Sequence, residues 1–329
     1  MMLAAGVDIG GTSVKVGVVD DMGRVLARAQ QQIHASEQAP AQVVTLACAL
    51  LQQALDELQF THQQLLAVGV GCPGILKAHG VIHAAANFPS WSDVPLRQLF
   101  VDRLDGLQVH VCNDADAAIL AEQWVGTAKA SVTNFIMLSM EKTHAACESL
   151  GTGVGVGIIS DGKLVRGGSN AIEGGHMIVE RNGRLCGCTQ RGCLEAYSSA
   201  GALVLEAQEH VTAGADSALA AYTLEEITAK LIFKLAVKGD AMCTRLIAEA
   251  ADYLGLACVT FCRMLDPEMI VLSGGMAEAG DVFLQQVRAS YFKYAWTKFS
   301  NPVQIEIASA GYDSGIIGAA ASCRAYLLL

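Results

Sequence analysis

One segment occurs twice in this chain, and no other feature constrains the fold as much. "GTSVKVGVVD" (11–20) and "GTGVGVGIIS" (151–160) are identical at five of ten positions and exchange Val for Ile at two more. Apolar side chains alternate with period two after each Gly-Thr, and each copy ends at a polar turn, so both read as a strand leaving a tight glycine turn and entering a hairpin. Bare backbone N–H groups in such a turn suit phosphate oxygens. Two copies imply two similar α/β domains facing each other across a cleft.

The rest of the pattern fits that division. "LLAVGVGCPGIL" (65–76) and "GLQVHVCN" (106–113) read as buried strands, and "ADAAILAEQWV" (115–125) as a helix of good formers. The second half alternates long helices, "LEEITAKLIFKLAVKGD" and "AMCTRLIAEAADYLGLACVTFCRML", with the strands "EMIVLSGG" and "VQIEIAS". The expected division is an N-terminal domain over 1–118, to which a last helix at about 313–329 returns, and a larger domain over 119–312. The segment 141–149, "EKTHAACES", stands where a strand should pass directly into the second glycine turn and reads as an inserted loop.

Composition excludes several function classes. At 329 residues the chain is about two domains long. A net charge of -10 without a basic stripe argues against a nucleic-acid partner. No apolar run reaches the roughly 18 residues of a spanning helix, and the start lacks the basic region of a signal peptide. A cytoplasmic protein without a membrane partner is expected. Most of the eleven cysteines fall in apolar strands and helices, as reduced core thiols do.

Three cysteines break that rule. In "HMIVERNGRLCGCTQRGC", His176, Cys186, Cys188 and Cys193 offer one imidazole and three thiolates, a soft tetrahedral set suited to Zn²⁺ in a closed, structural site. Scattered reduced thiols are the alternative. Glu173 and Glu195 flank the block, which would fix two carboxylates on a cleft wall, although surface carboxylates are usually only solvated.

In "DIGGT", Gly10 and Gly11 can approach phosphate oxygens and Asp8 could hold a hydrated Mg²⁺; a plain hairpin turn is the alternative. "GIISDGK" imitates a Walker A loop, but Leu164 follows the Lys and the pair lies in a hairpin turn. "GTGVGVG" lacks the dinucleotide spacing. In "VHVCNDADAAI", Asn113 and Asp114 stand where a strand gives way to a helix. They fit an N-cap, and they equally allow Asp114 to act as a base toward a hydroxyl attacking a γ-phosphate.

Taken together, "DIGGT", "VGCPG", "NFPSW", "CNDAD", "LGTGVG", "EGGH", "CGCTQRGCLEA" and "DPEMIVLSGG" resemble, nearly end to end and in order, the ROK family of sugar kinases and sugar-responsive repressors. The resemblance implies the actin-like, hexokinase-type ATPase fold, with two ribonuclease-H-like α/β domains around a cleft. It implies ATP-dependent phosphorylation of a hexose 6-hydroxyl, glucose first and N-acetylglucosamine or N-acetylmannosamine as the alternative. A catalytically inactive sugar-binding protein is a further reading.

By the same resemblance Asp114 is the general base, and Asn87, Asn113, Glu173, His176 and Glu195 contact the sugar. Asp8, Gly10, Gly11, Thr12 and Lys15, with Gly151, Thr152 and Gly153, hold the phosphates of Mg-ATP. Gly274 and Gly275 lie by the adenosine, and the zinc quartet doubles as a sugar contact through His176. A homodimer is expected on this ground alone. The repressors carry an N-terminal winged helix, whereas here the phosphate strand begins within about ten residues of Met1, so no DNA-binding module is expected. Thr189 departs from the family in replacing a Gly, the second hairpin in lacking a Gly-Gly pair, and 141–149 in being inserted.

Overall fold

A computed structural model describes residues 2–85, 88–129, 131–140, 153–167, 172–296, 298 and 303–327. Asn87, Gly151, Thr152 and the insertion at 141–149 lie outside the described residues.

The chain opens with a meander of β1 (Leu3–Ile9), β2 (Ser13–Asp20) and β3 (Val25–Gln32), followed by α1 (Pro40–Glu57) and β4 (Leu65–Cys72). A small antiparallel sheet follows, made of β5 (Ile75–Lys77), β6 (Val81–Ala84) and β7 (Ser92–Val94). Then come α2 (Leu96–Val101), β8 (Gln108–Asn113) and α3 (Asp114–Trp124). The main sheet has the order β3-β2-β1-β4-β8, with β1–β2 and β2–β3 antiparallel and β1–β4 and β4–β8 parallel. Strands β1 and β4 are buried along almost their whole length because helices cover both faces. Val43, Val44, Ala47, Leu51, Ala54 and Leu55 form the apolar stripe of α1 against this sheet. Each large side chain among them removes about 1.5–3 kcal/mol worth of apolar surface from water.

The second half repeats the plan with β9 (Phe135–Met140), β10 (Val154–Ser160) and β11 (Lys163–Leu164). The helices α4 (Glu195–Ser198), α5 (Ala200–Thr212), α6 (Ala229–Val237) and α7 (Ala241–Leu265) follow. Last come β12 (Met269–Gly274), α8 (Asp281–Tyr294), β13 (Gln304–Ile307) and α9 (Ser314–Leu327). Its sheet order is β11-β10-β9-β12-β13, with β9–β10 antiparallel and β9–β12 and β12–β13 parallel. Strand for strand this is the ribonuclease-H-like order of the first sheet.

Two compact units result. One comprises 1–132, 162–172 and 309–329, the other 133–161 and 173–308. The division expected near residue 118 would cut α3, which lies whole in the first unit. Near its C-terminal end the buried Glu122 accepts hydrogen bonds from the N–H groups of Thr127 (2.8 Å), Ser309 (2.9 Å) and Ala310 (2.6 Å). Helix α9 belongs to the same unit and packs without an intervening side chain. A Cβ on Gly318 would stand 1.6 Å from the Ala117 carbonyl oxygen of α3, and one on Gly69 of β4 1.7 Å from that of Ala319.

Candidate active site

In the first unit the site is built on three strand ends and two helix starts. Asp8 is the next-to-last residue of β1, in register with Lys15 of β2 on one side and Gly71 of β4 on the other. The Lys15 ammonium is 4.0 Å from its carboxylate and 4.3 Å from the centroid of the Tyr312 ring. Burial pushes the Asp8 carboxyl above its ordinary range; Lys15 opposes this and the like charge of Asp114 adds to it. Gly315, in the first turn of α9, leaves room for that carboxylate, since a Cβ there would stand 2.4 Å from Oδ2. The turn after β1 is closed by the Gly10 N–H donating to the Ser13 carbonyl (2.8 Å). The carbonyls of Gly11 and Thr12 accept from the N–H groups of Ala35 (3.4 Å) and Ile33 (2.9 Å), which fixes the turn against the chain beyond β3.

Asp114 is the first residue of α3, where a helix N-terminus favours a negative charge. Its Oδ1 accepts from the Ala115 N–H (2.9 Å). Asn113 is the N-cap, accepting from the same N–H (2.8 Å) and donating through Nδ2 to the Gly74 carbonyl (3.0 Å). The capping reading of this pair therefore holds, and the two bonds orient the Asn113 amide. Cys72 at the end of β4 feels both carboxylates. Burial first, then Asp114, Cys112 and Asp8, push its thiol well above the ordinary range, so it stays neutral.

In the second unit the turn Gly174–His176 lies flat on β10. A Cβ on Gly175 would stand 2.1 Å from the Val154 carbonyl oxygen, and one on Gly174 would meet Val156 and Phe261. His176 is thereby fixed to β10. Its donor atom and the sulfurs of Cys186, Cys188 and Cys193 all lie within 4.8 Å of one another. Cys186 Sγ is 3.6 Å from His176 Nδ1, and Cys188 Sγ is 3.6 Å from Cys193 Sγ. Zinc bonds of about 2.3 Å to sulfur and 2.0–2.1 Å to nitrogen at tetrahedral angles place donors about 3.5–3.8 Å apart, the separation of these two pairs, and one imidazole with three thiolates is a donor set suited to that ion.

Glu195, the first residue of α4, joins this cluster to Gly153. Its Oε1 is 3.6 Å from Cys186 Sγ, and its Oε2 occupies the place a side chain on Gly153 would need, 1.7 Å from the ideal Cβ. Glu173 is exposed, and its carbonyl accepts from the His176 N–H (3.0 Å). Gly274 ends β12 beside Met140 of β9 with φ +85, a backbone that L side chains avoid, and Gly275 follows it into the turn before α8. Sequence reasoning missed Tyr312 and Gly315. Both lie in "GYDSG" just before and within the start of α9, where the Gly-rich approach to a helix was the available signal.

Known proteins resemble the chain along nearly its whole length. The chain is 32% identical over 322 residues to a glucokinase of Halalkalibacterium halodurans, covering 95% of this chain and 92% of that protein. It is 29% identical to an N-acetylmannosamine kinase of Vibrio vulnificus, with 97% of each covered. A crystal structure of a ROK family glucokinase from Streptomyces griseus in complex with glucose and AMPPNP superposes with a TM-score of 0.77 at 30% identity, over 97% of this chain and 98% of that one. Its fold is the actin-like, hexokinase-type ATPase fold. The signature of the ROK family matches residues 4–325, and the chain therefore belongs to the ROK family.

Proposed function

We propose that this protein transfers the γ-phosphoryl group of ATP to the 6-hydroxyl of a hexose, with glucose as the substrate and Asp114 as the general base. The observation that carries the reading is the pairing of two carboxylates in one unit. Asp114 stands at the start of α3, and Asp8 stands at the end of β1 beside the glycine turn, within electrostatic reach of it. One carboxylate accepts the hydroxyl proton. The other, kept from ionising easily by burial, gains most from a hydrated Mg²⁺ carried by the nucleotide. The sugar oxygen then bonds to the γ-phosphorus, the bond to the ADP oxygen breaks, and the proton rests on Asp114. Gly10, Gly11, Thr12 and Lys15 hold phosphate oxygens in this reading, and Gly274 and Gly275 flank the adenosine. The near-full-length likeness to a glucokinase supports glucose.

His176, Cys186, Cys188 and Cys193 would hold zinc. Four protein ligands leave no open position, so the ion supplies shape and not chemistry. It would keep His176 and Glu195 set toward the sugar.

ADP release is the test, measured with Mg-ATP against glucose, mannose, N-acetylglucosamine and N-acetylmannosamine. Asp114→Asn is expected to lower kcat about 10²–10⁴-fold while sugar binding persists. A glucose-selective rate supports the proposal. Selectivity for an acetamido sugar, consistent with the N-acetylmannosamine kinase relative, keeps the base and changes the substrate. No turnover with any sugar overturns it.

A further inference from the structure

The hairpin that carries the cysteines is gripped by a second set of contacts using none of the four metal donors. Arg184 is at its centre. Its backbone N–H donates to Tyr197 Oη (2.7 Å), and its carbonyl accepts from the Gly192 N–H (2.8 Å). Its guanidinium lies 4.5 Å from the centroid of the Tyr197 ring and donates to the Ala196 carbonyl (3.5 Å), to Glu206 of α5 and to Glu249 of α7 (2.9 Å). Tyr197 in turn packs on Tyr253 of α7, with ring centroids 4.1 Å apart. The Tyr253 hydroxyl donates to Glu180 at the start of the hairpin (3.3 Å). Gly183 has no room for a side chain, since a Cβ would stand 2.0 Å from Tyr197 Oη.

Ala196 and Tyr197 directly follow Glu195, and Cys193 precedes it by two residues. Glu195 therefore sits between the metal donors on its N-terminal side and the residues Arg184 holds on its C-terminal side. The geometry points to Arg184 as a positioning residue that sets the Glu195 carboxylate against Gly153 and toward the sugar. It acts through stacking on Tyr197 and a charge-assisted bond to each of two acids. This deepens the sugar-kinase reading and rests on Glu195 being a sugar ligand there.

The test compares Arg184→Met and Arg184→Lys with the wild-type holoenzyme. Arg184→Met is expected to raise the sugar KM about tenfold or more, to leave the ATP KM unchanged, and to retain about one zinc per chain by elemental analysis. Arg184→Lys, which keeps the charge and loses the planar stack, is expected to fall between the two. An unchanged sugar KM overturns the inference. So does a rise in the ATP KM equal to that for sugar accompanied by loss of zinc, because that outcome reports a loosened loop and not a displaced carboxylate. Should Arg184→Met fail to fold, the double variant Glu206→Gln/Glu249→Gln removes both charged partners of the guanidinium and keeps side-chain size; an unchanged sugar KM there overturns the inference. Calorimetric titration with glucose separates the two readings. A wild type that turns over no sugar but binds glucose more tightly than Arg184→Met fails as a kinase and still upholds the role of Arg184.

Discussion

Gly153 and Thr189 are the two residues whose backbone surroundings speak most directly. Gly153 directly precedes β10, and the Glu195 carboxylate fills the space its side chain would take. Gly153→Ala is therefore expected to displace Glu195 and to raise the sugar KM about 10–100-fold, the range for losing a hydrogen bond to a charged group. A rise confined to the ATP KM would show that only the phosphates need the glycine. Thr189 has φ +72, a left-handed conformation that a β-branched residue adopts at a cost of roughly 1–2 kcal/mol. Its N–H closes the turn by donating to the Cys186 carbonyl (2.9 Å). Thr189→Gly is expected to gain about 1 kcal/mol in denaturant unfolding and to slow zinc loss to a chelator. Unchanged stability would show that the turn relaxes around the threonine.

At the scale of elements, residue pattern located β2, β4, β8, β10, β12 and β13 and the helices α3, α7 and α9, while α1, α5, α8 and the small sheet β5–β7 were not read from it; side-chain hydrogen bonds decided where several helices begin. "LEEITAKLIFKLAVKGD" reads as one long helix; the structure divides it into a single turn at Leu224–Glu226 and α6. Thr223 and Glu226 cap the first piece reciprocally. The Thr228 hydroxyl accepts from the Leu231 N–H (3.2 Å) and starts the second. The long helix α7 begins at Asp240, which accepts from the N–H groups of Cys243 (2.9 Å) and Ala218 (2.7 Å) and from the Ser217 hydroxyl (2.8 Å). Burial alone would raise the Asp240 pKa, but these bonds outweigh it and bring it down to about 2. Asp240→Ala is expected to cost about 1–2 kcal/mol at neutral pH. With the folded pKa below the unfolded one, the wild-type advantage is fully present above about pH 4 and shrinks as the pH falls toward 2. Unfolding curves of both proteins across that window check the sign, and a difference independent of pH would mean the carboxylate charge contributes nothing.

For the whole molecule, the governing fact is that one ribonuclease-H-like plan is used twice and that the end of the chain is built into the first copy. Helix α9 seats on β1, β4 and α3 through glycines, and the same helix places Gly315 against Asp8 while α3 carries Asp114. Gly318→Ala would raise helix propensity by about 1 kcal/mol in isolation. Here it must part α3 from α9, because the new methyl meets a backbone oxygen, so the expected net effect is a loss of about 1–3 kcal/mol together with a fall in kcat. A stabilised variant with full activity would refute that packing.

The repeated strand unit, the soft donor set of His176 and three cysteines, and the strand-to-helix step at Asn113 and Asp114 are legible in the amino-acid order. Each of these is written in residue type and short-range spacing. That Asp8 feels Asp114, that Glu195 fills the space beside Gly153, that Arg184 braces the cysteine hairpin and that Lys15 lies over the Tyr312 ring follow from the folded packing. Those residues are brought together by sheet order and helix packing. The contact of two remote side chains depends on the shape of everything packed between them, and no local pattern carries that.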